Sequence, residues 1–259
     1  MQPLNASSID EQLKQQDLDP QARLRRIVGE DGLVNLTDAH VVVFGLGGVG
    51  SSCMEALARG GIGHLSIVDG DEVAASNINR QAIAFMSTIG QRKVDVSAQM
   101  AQQINPNIVV EKYDQFVYAQ DVEQLIATIE SRCPIDYMID CIDTVSTKLA
   151  LAQYAQDHDV ALISAMGSAN KLYPDHFKIA DITKTVNCPL SRVIRKECRK
   201  RGIKHLRVIF SDEQPVAVEG LDGAERRDRS DLGTMSYAPP IMGQMLAADV
   251  IRTILNWNK

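Results

Sequence analysis

The sequence contains no Cys-x-x-Cys pair. Its five cysteines, Cys53, Cys133, Cys141, Cys188 and Cys198, are scattered and odd in number. They cannot all pair, which argues against a disulfide framework and for a reducing cytoplasm. The missing pairs also remove a four-cysteine zinc site. No stretch approaches the roughly 18 uninterrupted apolar residues that a membrane span needs. Met1 to Asp19 is polar and acidic, without the apolar segment of a secretory signal. No internal repeat or low-complexity tract occurs. The single tryptophan, Trp257, lies at the far end, so no aromatic stacking platform is expected. Positive charge is in deficit, 27 Lys and Arg against 33 Asp and Glu. A net charge of −6 argues against indiscriminate coating of nucleic acid but allows a local basic patch.

What is present suffices for a core. Apolar residues make up 45% of 259 and charged residues 23%, which excludes global disorder. After a polar lead-in over residues 1–20, a helical pattern runs from Gln21 to Leu36. His40–Gly45 is a β-branched run ending in glycine, and His64–Asp69, Ile108–Lys112, Ile135–Asp140 and Val160–Ala165 read as further strands. Helical segments at Val49–Ala58, Arg92–Ile104, Asp121–Glu130 and Val145–Asp157 separate them. This alternation predicts an α/β, Rossmann-like fold: a mostly parallel sheet with helices on both faces. After Ser164 the rhythm changes into an elaborated C-terminal third. It holds strands at Phe177–Ala180 and Leu206–Phe210, a charged loop at Glu219–Asp231 and a closing helix from Ala238 to Asn256. One domain over 21–259 is expected, with a nucleotide-binding core at 21–165 and substrate-facing and closing elements at 166–259.

Gly45-Leu46-Gly47-Gly48-Val49-Gly50 follows the first strand and opens a helix. Glycines there let the backbone turn tightly and approach a phosphate, while the helix N-terminus offers free N–H groups. Asp69 ends the next strand, where an acid can bond a ribose hydroxyl. This much does not separate NAD from FAD or ATP. The segment after it does more. Ser76-Asn77-Ile78-Asn79-Arg80-Gln81 and Gly90-Gln91-Arg92-Lys93 bring an arginine and a lysine suited to phosphates on which charge builds. Asn77 and Asn79 add neutral donors. On charge alone, Arg80 and Lys93 read as solvated surface groups. Asp143, just past the fourth strand, lies where open parallel sheets bind ligands and offers oxygen to Mg²⁺, or it caps the next helix.

GLGGVG, VDGD, SNINRQ, GQRKVD, INP and CIDT, in this order, resemble the ubiquitin-activating-enzyme-like adenylyltransferases. That family includes the activators of thiamine and molybdopterin sulfur carriers. The resemblance covers about Gln21 to Ala165. It implies ATP on Gly45, Gly47 and Gly48, ribose on Asp69, and phosphates on Asn77, Arg80 and Lys93. It also implies that Asp143 serves catalysis and Mg²⁺ held through ATP, and a homodimer in which Arg23, Arg25 or Arg26 reaches the other subunit's ATP. The C-terminal third, with SAMGSANKL, DITKT, CPL, RVIRKECRKRGIKHLRV and LGTMSYAPPIMG, is similar to the tRNA threonylcarbamoyladenosine dehydratases. These use ATP to cyclise the threonylcarbamoyl side chain beside the anticodon.

The residues themselves also point to RNA. Arg192, Arg195, Lys196, Arg199, Lys200, Arg201, Lys204 and Arg207 crowd one stretch, opposed only by Glu197, and Lys184 extends the patch. The first four fall at helical spacing, as one positive face that an RNA backbone would meet. Cys53 and Cys141 read as packing. Cys188 is the thiol expected to be exposed. Alternatives at this point are an activator of a small sulfur carrier, an NAD oxidoreductase and a non-enzymatic ATP sensor. A monovalent cation near Gly167 and Ser168 and a sulfur-transfer partner protein are left open.

Overall fold

In the computed structural model, residues 19–217 and 232–257 are described. The charged loop predicted at Glu219–Asp231 and most of the lead-in lie outside them. Seven strands form one sheet in the order β3-β2-β1-β4-β5-β7-β6. These are β1 (His40–Phe44), β2 (His64–Val68), β3 (Val109–Tyr113), β4 (Tyr137–Asp140), β5 (Leu162–Ala165), β6 (Phe177–Asp181) and β7 (Arg207–Ser211). All neighbouring strands pair in parallel except β6 and β7 at one edge. The strands that begin β3, β4, β5 and β7 start one or two residues later than the hydrophobic runs suggest.

Strand alternation sorts the core into two layers. Val41, Val43, Leu65, Ile67 and Ile139 point to one face. There they meet α1 (Ala22–Asp38), α2 (Gly48–Arg59), α3 (Lys93–Ile104) and α7 (Ala238–Ile254) through Leu36, Met54, Val94 and Leu246. Val42, Phe44, Met138, Val208 and Phe210 point to the other. That face is covered by α4 (Val122–Glu130), α5 (Val145–His158) and α6 (Pro189–Arg201). Helix α1 is broken at Gly29, whose φ of 73° leaves the helical region, a break the apolar spacing did not predict. Helix α6 is the basic segment, and Ser191, Ile194 and Cys198 form its buried side.

Arg207, grouped with the basic stretch by the sequence, has another task. Its guanidinium donates two 2.7 Å hydrogen bonds to Asp249 on α7, whose side chain is fully buried. Arg252 supplies a weaker contact at 3.3 Å. Arg207→Ala is expected to cost about 2 kcal/mol, since it strips a buried acceptor of its main donors. Chemical denaturation of the two proteins measures this.

His40 and His64 begin β1 and β2 at the sheet end opposite the loops described below, and their rings stack with centroids 4.0 Å apart. Cys133 brings a third potential ligand atom within 4.8 Å. The rings are within 15° of parallel, so their in-plane lone pairs do not converge on one ion. Burial, then His40, lowers the His64 pKa against the pull of Glu111. Its folded value lies below the ordinary 6.5, so the unfolded chain binds the proton more tightly. Stability is therefore complete above about pH 6.5 and falls as pH drops through the folded value. The Nε2 of His64 has no hydrogen-bond partner among the described residues. His64→Phe keeps the stack, and it is expected to reduce the fall in melting temperature between about pH 7 and pH 5.

Candidate active site

The parallel register puts Phe44, Val68 and Asp140 level, so the loops after β1, β2 and β4 gather at one end of the sheet. Strands β2 and β4 flank β1 on opposite sides, which makes this the point where open α/β sheets leave a crevice. The Gly45–Gly50 loop fills it. Gly45 has φ +87°, and a Cβ on Gly50 would fall 1.8 Å from the Gly45 carbonyl oxygen. The turn closes on itself only because both lack side chains. Helix α2 then starts at Gly48, with its N-terminal N–H groups facing the crevice end.

Asp69 lies just past β2 and holds this loop. One oxygen accepts from the Leu46 N–H at 2.6 Å and the other from the Asp71 N–H at 2.8 Å. Lys93 at the start of α3 lies 2.8 Å from Asp71 and 3.8 Å from Asp69. Its side chain is only 6% exposed, so the solvated reading of Lys93 is overturned. Burying an ammonium requires anionic partners, and the two aspartates supply them.

Arg80 is half-buried above the glycine loop. A Cβ on Gly48 would meet its Cγ and its carbonyl oxygen at 3.3 Å. One guanidinium nitrogen donates to Ser76 O and to Asn79 Oδ1, both at 2.8 Å. The Asn77 side chain accepts from the Ala74 N–H and shapes its own turn. Asn79 donates to Thr234 O, which joins this turn to the C-terminal third. Asp143 is exposed beyond β4, next to Thr144 at the N-cap position of α5. A hydrogen bond of 3.4 Å runs from the Thr144 hydroxyl to it. Arg25 on α1 is engaged by Asp19 and Glu30, while Arg23 and Arg26 are exposed.

The structure adds residues that the sequence did not single out. Ser51 donates to Gly47 O and accepts from the Ala82 N–H, tying the glycine loop to the Arg80 turn. Gln81 is buried beside Gly47, and its Oε1 has no partner among the described residues. Lys148 on α5 is 1% exposed and donates to Asp140 at 2.9 Å, Ser164 at 3.2 Å and Ala165 O at 2.7 Å. A lysine directly before the apolar run Leu149-Ala150-Leu151-Ala152 was the available signal.

On α6, Arg192, Lys196, Arg199, Lys200 and Arg201 are exposed, as are Lys184 and Lys204. Arg195 turns inward and donates to Thr185 O at 2.7 Å and Thr185 Oγ1 at 2.6 Å, so it leaves the outer stripe. Cys188 is not the exposed thiol expected. It is 6% exposed, and its sulfur accepts from the Ser191 N–H at the start of α6. Cys53 and Cys141 are packed, and burial raises both thiol pKa values.

The ThiF family model matches residues 18–259. The chain belongs to the ThiF family. Among its ThiF relatives, tRNA threonylcarbamoyladenosine dehydratase of Bacillus subtilis is 38% identical over 237 residues, 88% of this chain and 91% of that protein. The crystal structure of Escherichia coli tRNA N6-threonylcarbamoyladenosine dehydratase, TcdA, in complex with ATP superposes with a TM-score of 0.79. The identity is 29%, and the match covers 90% of this chain and 92% of that one. The E. coli molybdopterin-synthase adenylyltransferase is 33% identical over only 118 residues, 46% of this chain and 45% of that protein.

Proposed function

We propose that this chain is an ATP-dependent tRNA threonylcarbamoyladenosine dehydratase. The observation that carries the reading is the span of its likeness to the dehydratases. It runs through the C-terminal third, whereas likeness to the carrier activator covers less than half the chain. A second observation fits ATP: a loop that tolerates no Cβ at Gly50, with Arg80 above it and Lys93 behind it.

The substrate carboxylate attacks the α-phosphate of ATP and releases pyrophosphate. Arg80 and Lys93 offset the negative charge that develops on the phosphates, with Asn77 and Asn79 shaping the turn that presents Arg80. Gly45, Gly47 and Gly48 give the phosphates backbone contact, and Asp69 serves the ribose while pinning Leu46. Asp143 offers hard oxygen to Mg²⁺, which supplies further charge neutralisation when bound. A group of the same side chain then attacks the acyl-adenylate carbonyl, closes a ring and releases AMP. Intramolecular attack needs no strong enzymic nucleophile, consistent with a buried Cys188.

The tRNA lies against Lys184, Arg192, Lys196, Arg199, Lys200, Arg201 and Lys204. The enzyme acts as a homodimer, with Arg23, Arg25 or Arg26 crossing to the other subunit's ATP. Five free thiols suit the cytoplasm. These steps need neither a monovalent cation nor a sulfur-transfer partner.

The test incubates the protein with tRNA carrying threonylcarbamoyladenosine, with and without ATP·Mg²⁺, and reads nucleosides by mass spectrometry under mild conditions. ATP-dependent loss of one water is expected. An unchanged nucleoside, with ATP–pyrophosphate exchange appearing only on addition of a carrier protein, would replace this reading with carrier activation.

A further inference from the structure

Apart from the crevice at the glycine loop, a cleft of about 300 Å³ opens where α6 begins. Its volume is at the lower limit for small-ligand sites and suits one nucleotide better than a protein segment. Val186, Pro189 and Pro215 give it apolar walls. Arg192 and Arg195 line it, and no lining residue is acidic, although acids outnumber bases in the whole chain.

The two arginines differ. Arg195 is fixed to Thr185 and forms part of the wall. The Arg192 guanidinium is exposed at the cleft and makes no hydrogen bond to a described residue. Gln214 donates to Asn187 Oδ1 at 2.7 Å, and Asn187 in turn donates to Asp212 O at 2.7 Å. Asn187 thus has one N–H and its oxygen engaged, while Gln214 has one N–H engaged and its carbonyl oxygen open.

The cleft is rigidly backed. Lys171, 2% exposed, sends its ammonium to Glu213 O and, at 3.5 Å, to Asn187 O. It clamps the two segments that carry Gln214 and Asn187. The segment that carries Lys171 is tied towards the glycine-loop region, since the Gly233 N–H donates to Asn170 Oδ1 and Asn79 donates to Thr234 O. None of the residues around the glycine loop lines the cleft.

We propose that this cleft receives one nucleotide of the tRNA other than the one that reacts. Its phosphate sits on Arg192, its base lies against Val186, Pro189 and Pro215, and Gln214 meets the base edge. The reacting nucleoside must reach the α-phosphate at the glycine loop, whose residues do not line this cleft, so an occupant of the cleft is a different nucleotide of the same tRNA. This inference rests on the tRNA reading above.

Fluorescence anisotropy with tRNA carrying threonylcarbamoyladenosine, without ATP and across a salt series, tests it on the full chain. Arg192→Ala is expected to weaken binding about tenfold and to reduce the slope of log K against log salt by about 1. Arg192→Lys restores the slope. Gln214→Ala is expected to weaken binding with no change in slope. Melting temperatures of all three should match the wild type, since both side chains are on the surface. If the wild type binds tRNA and Arg192→Ala keeps its full affinity and slope, the cleft assignment falls while the dehydratase reading stands. If the wild type binds no tRNA, both fall. If both variants keep tRNA affinity but lose binding of a peptide with a free C-terminal carboxylate, the cleft is a protein site and the proposal is overturned.

Discussion

Lys148→Met is expected to destabilise the protein by about 3–5 kcal/mol, because it leaves Asp140 charged, buried and without its cation. For a domain of this size that is a fall in melting temperature of about 6–20 °C. Both side chains are essentially inaccessible, at 1% and 0% exposure, so solvent cannot take over the lost partner. The loss should be largely reversed in the double variant Asp140→Asn, Lys148→Met. Asparagine still accepts the Ile142 N–H that Asp140 Oδ1 binds at 3.0 Å, and no net charge remains buried. Lys148 also bonds Ser164 and Ala165 O, so it joins the ends of β4 and β5 beneath the turn that carries Asp143. Calorimetry on the single and double variants checks both parts. A single variant as stable as the wild type would show that Asp140 is not charged in the folded protein.

Arg80→Ala is expected to lower kcat for ATP-dependent dehydration by about 10²–10³-fold, the usual cost of removing one preorganised donor to a developing charge. Among the described residues its side chain hydrogen-bonds only Ser76 O and Asn79, within its own turn, so stability should barely change. A residue that acts mainly in the transition state lowers kcat and kcat/KM together. A rise in KM for ATP at unchanged kcat would instead make Arg80 a ground-state binding residue. Lys93→Ala is a harsher change. It removes the same class of cation and also leaves Asp69 and Asp71 facing each other without their shared ammonium. Its rate loss should therefore come with a weaker fold, which separates the two variants in a thermal melt.

The fold was legible where local chemistry decides it. HVVVF is buried at every position and apolar at all but His40, as suits a strand covered on both faces, and the glycine loop announces the turn after it. The order of β3 to β6 in the sheet was not legible, because strand pairing joins residues far apart in sequence. The same limit hid Arg207, whose partner Asp249 lies 42 residues away on another element. Helical spacing placed Arg192, Arg195, Lys196 and Arg199 on one face. It did not show that Arg195 is drawn inward by Thr185, since that depends on how the loop before α6 folds back. Cys188 looked exposed for a related reason: a loop cysteine next to proline carries no mark of burial, yet here it lies under the first turn of α6. Lys148 shows the opposite case. A lysine in a helix usually reads as surface, and only its apolar surroundings and the strand-end Asp140 betray the buried pair.

The central claim is that the substrate carboxylate attacks the α-phosphate. It is tested most directly by labelling that carboxylate with ¹⁸O in tRNA-borne threonylcarbamoyladenosine and following one turnover with ATP. The carboxylate oxygen that bonds to phosphorus leaves with AMP when the ring closes, so AMP carrying one ¹⁸O and unlabelled pyrophosphate are predicted. Label in inorganic phosphate with ADP as the coproduct would place the attack at the γ-phosphate and contradict the account.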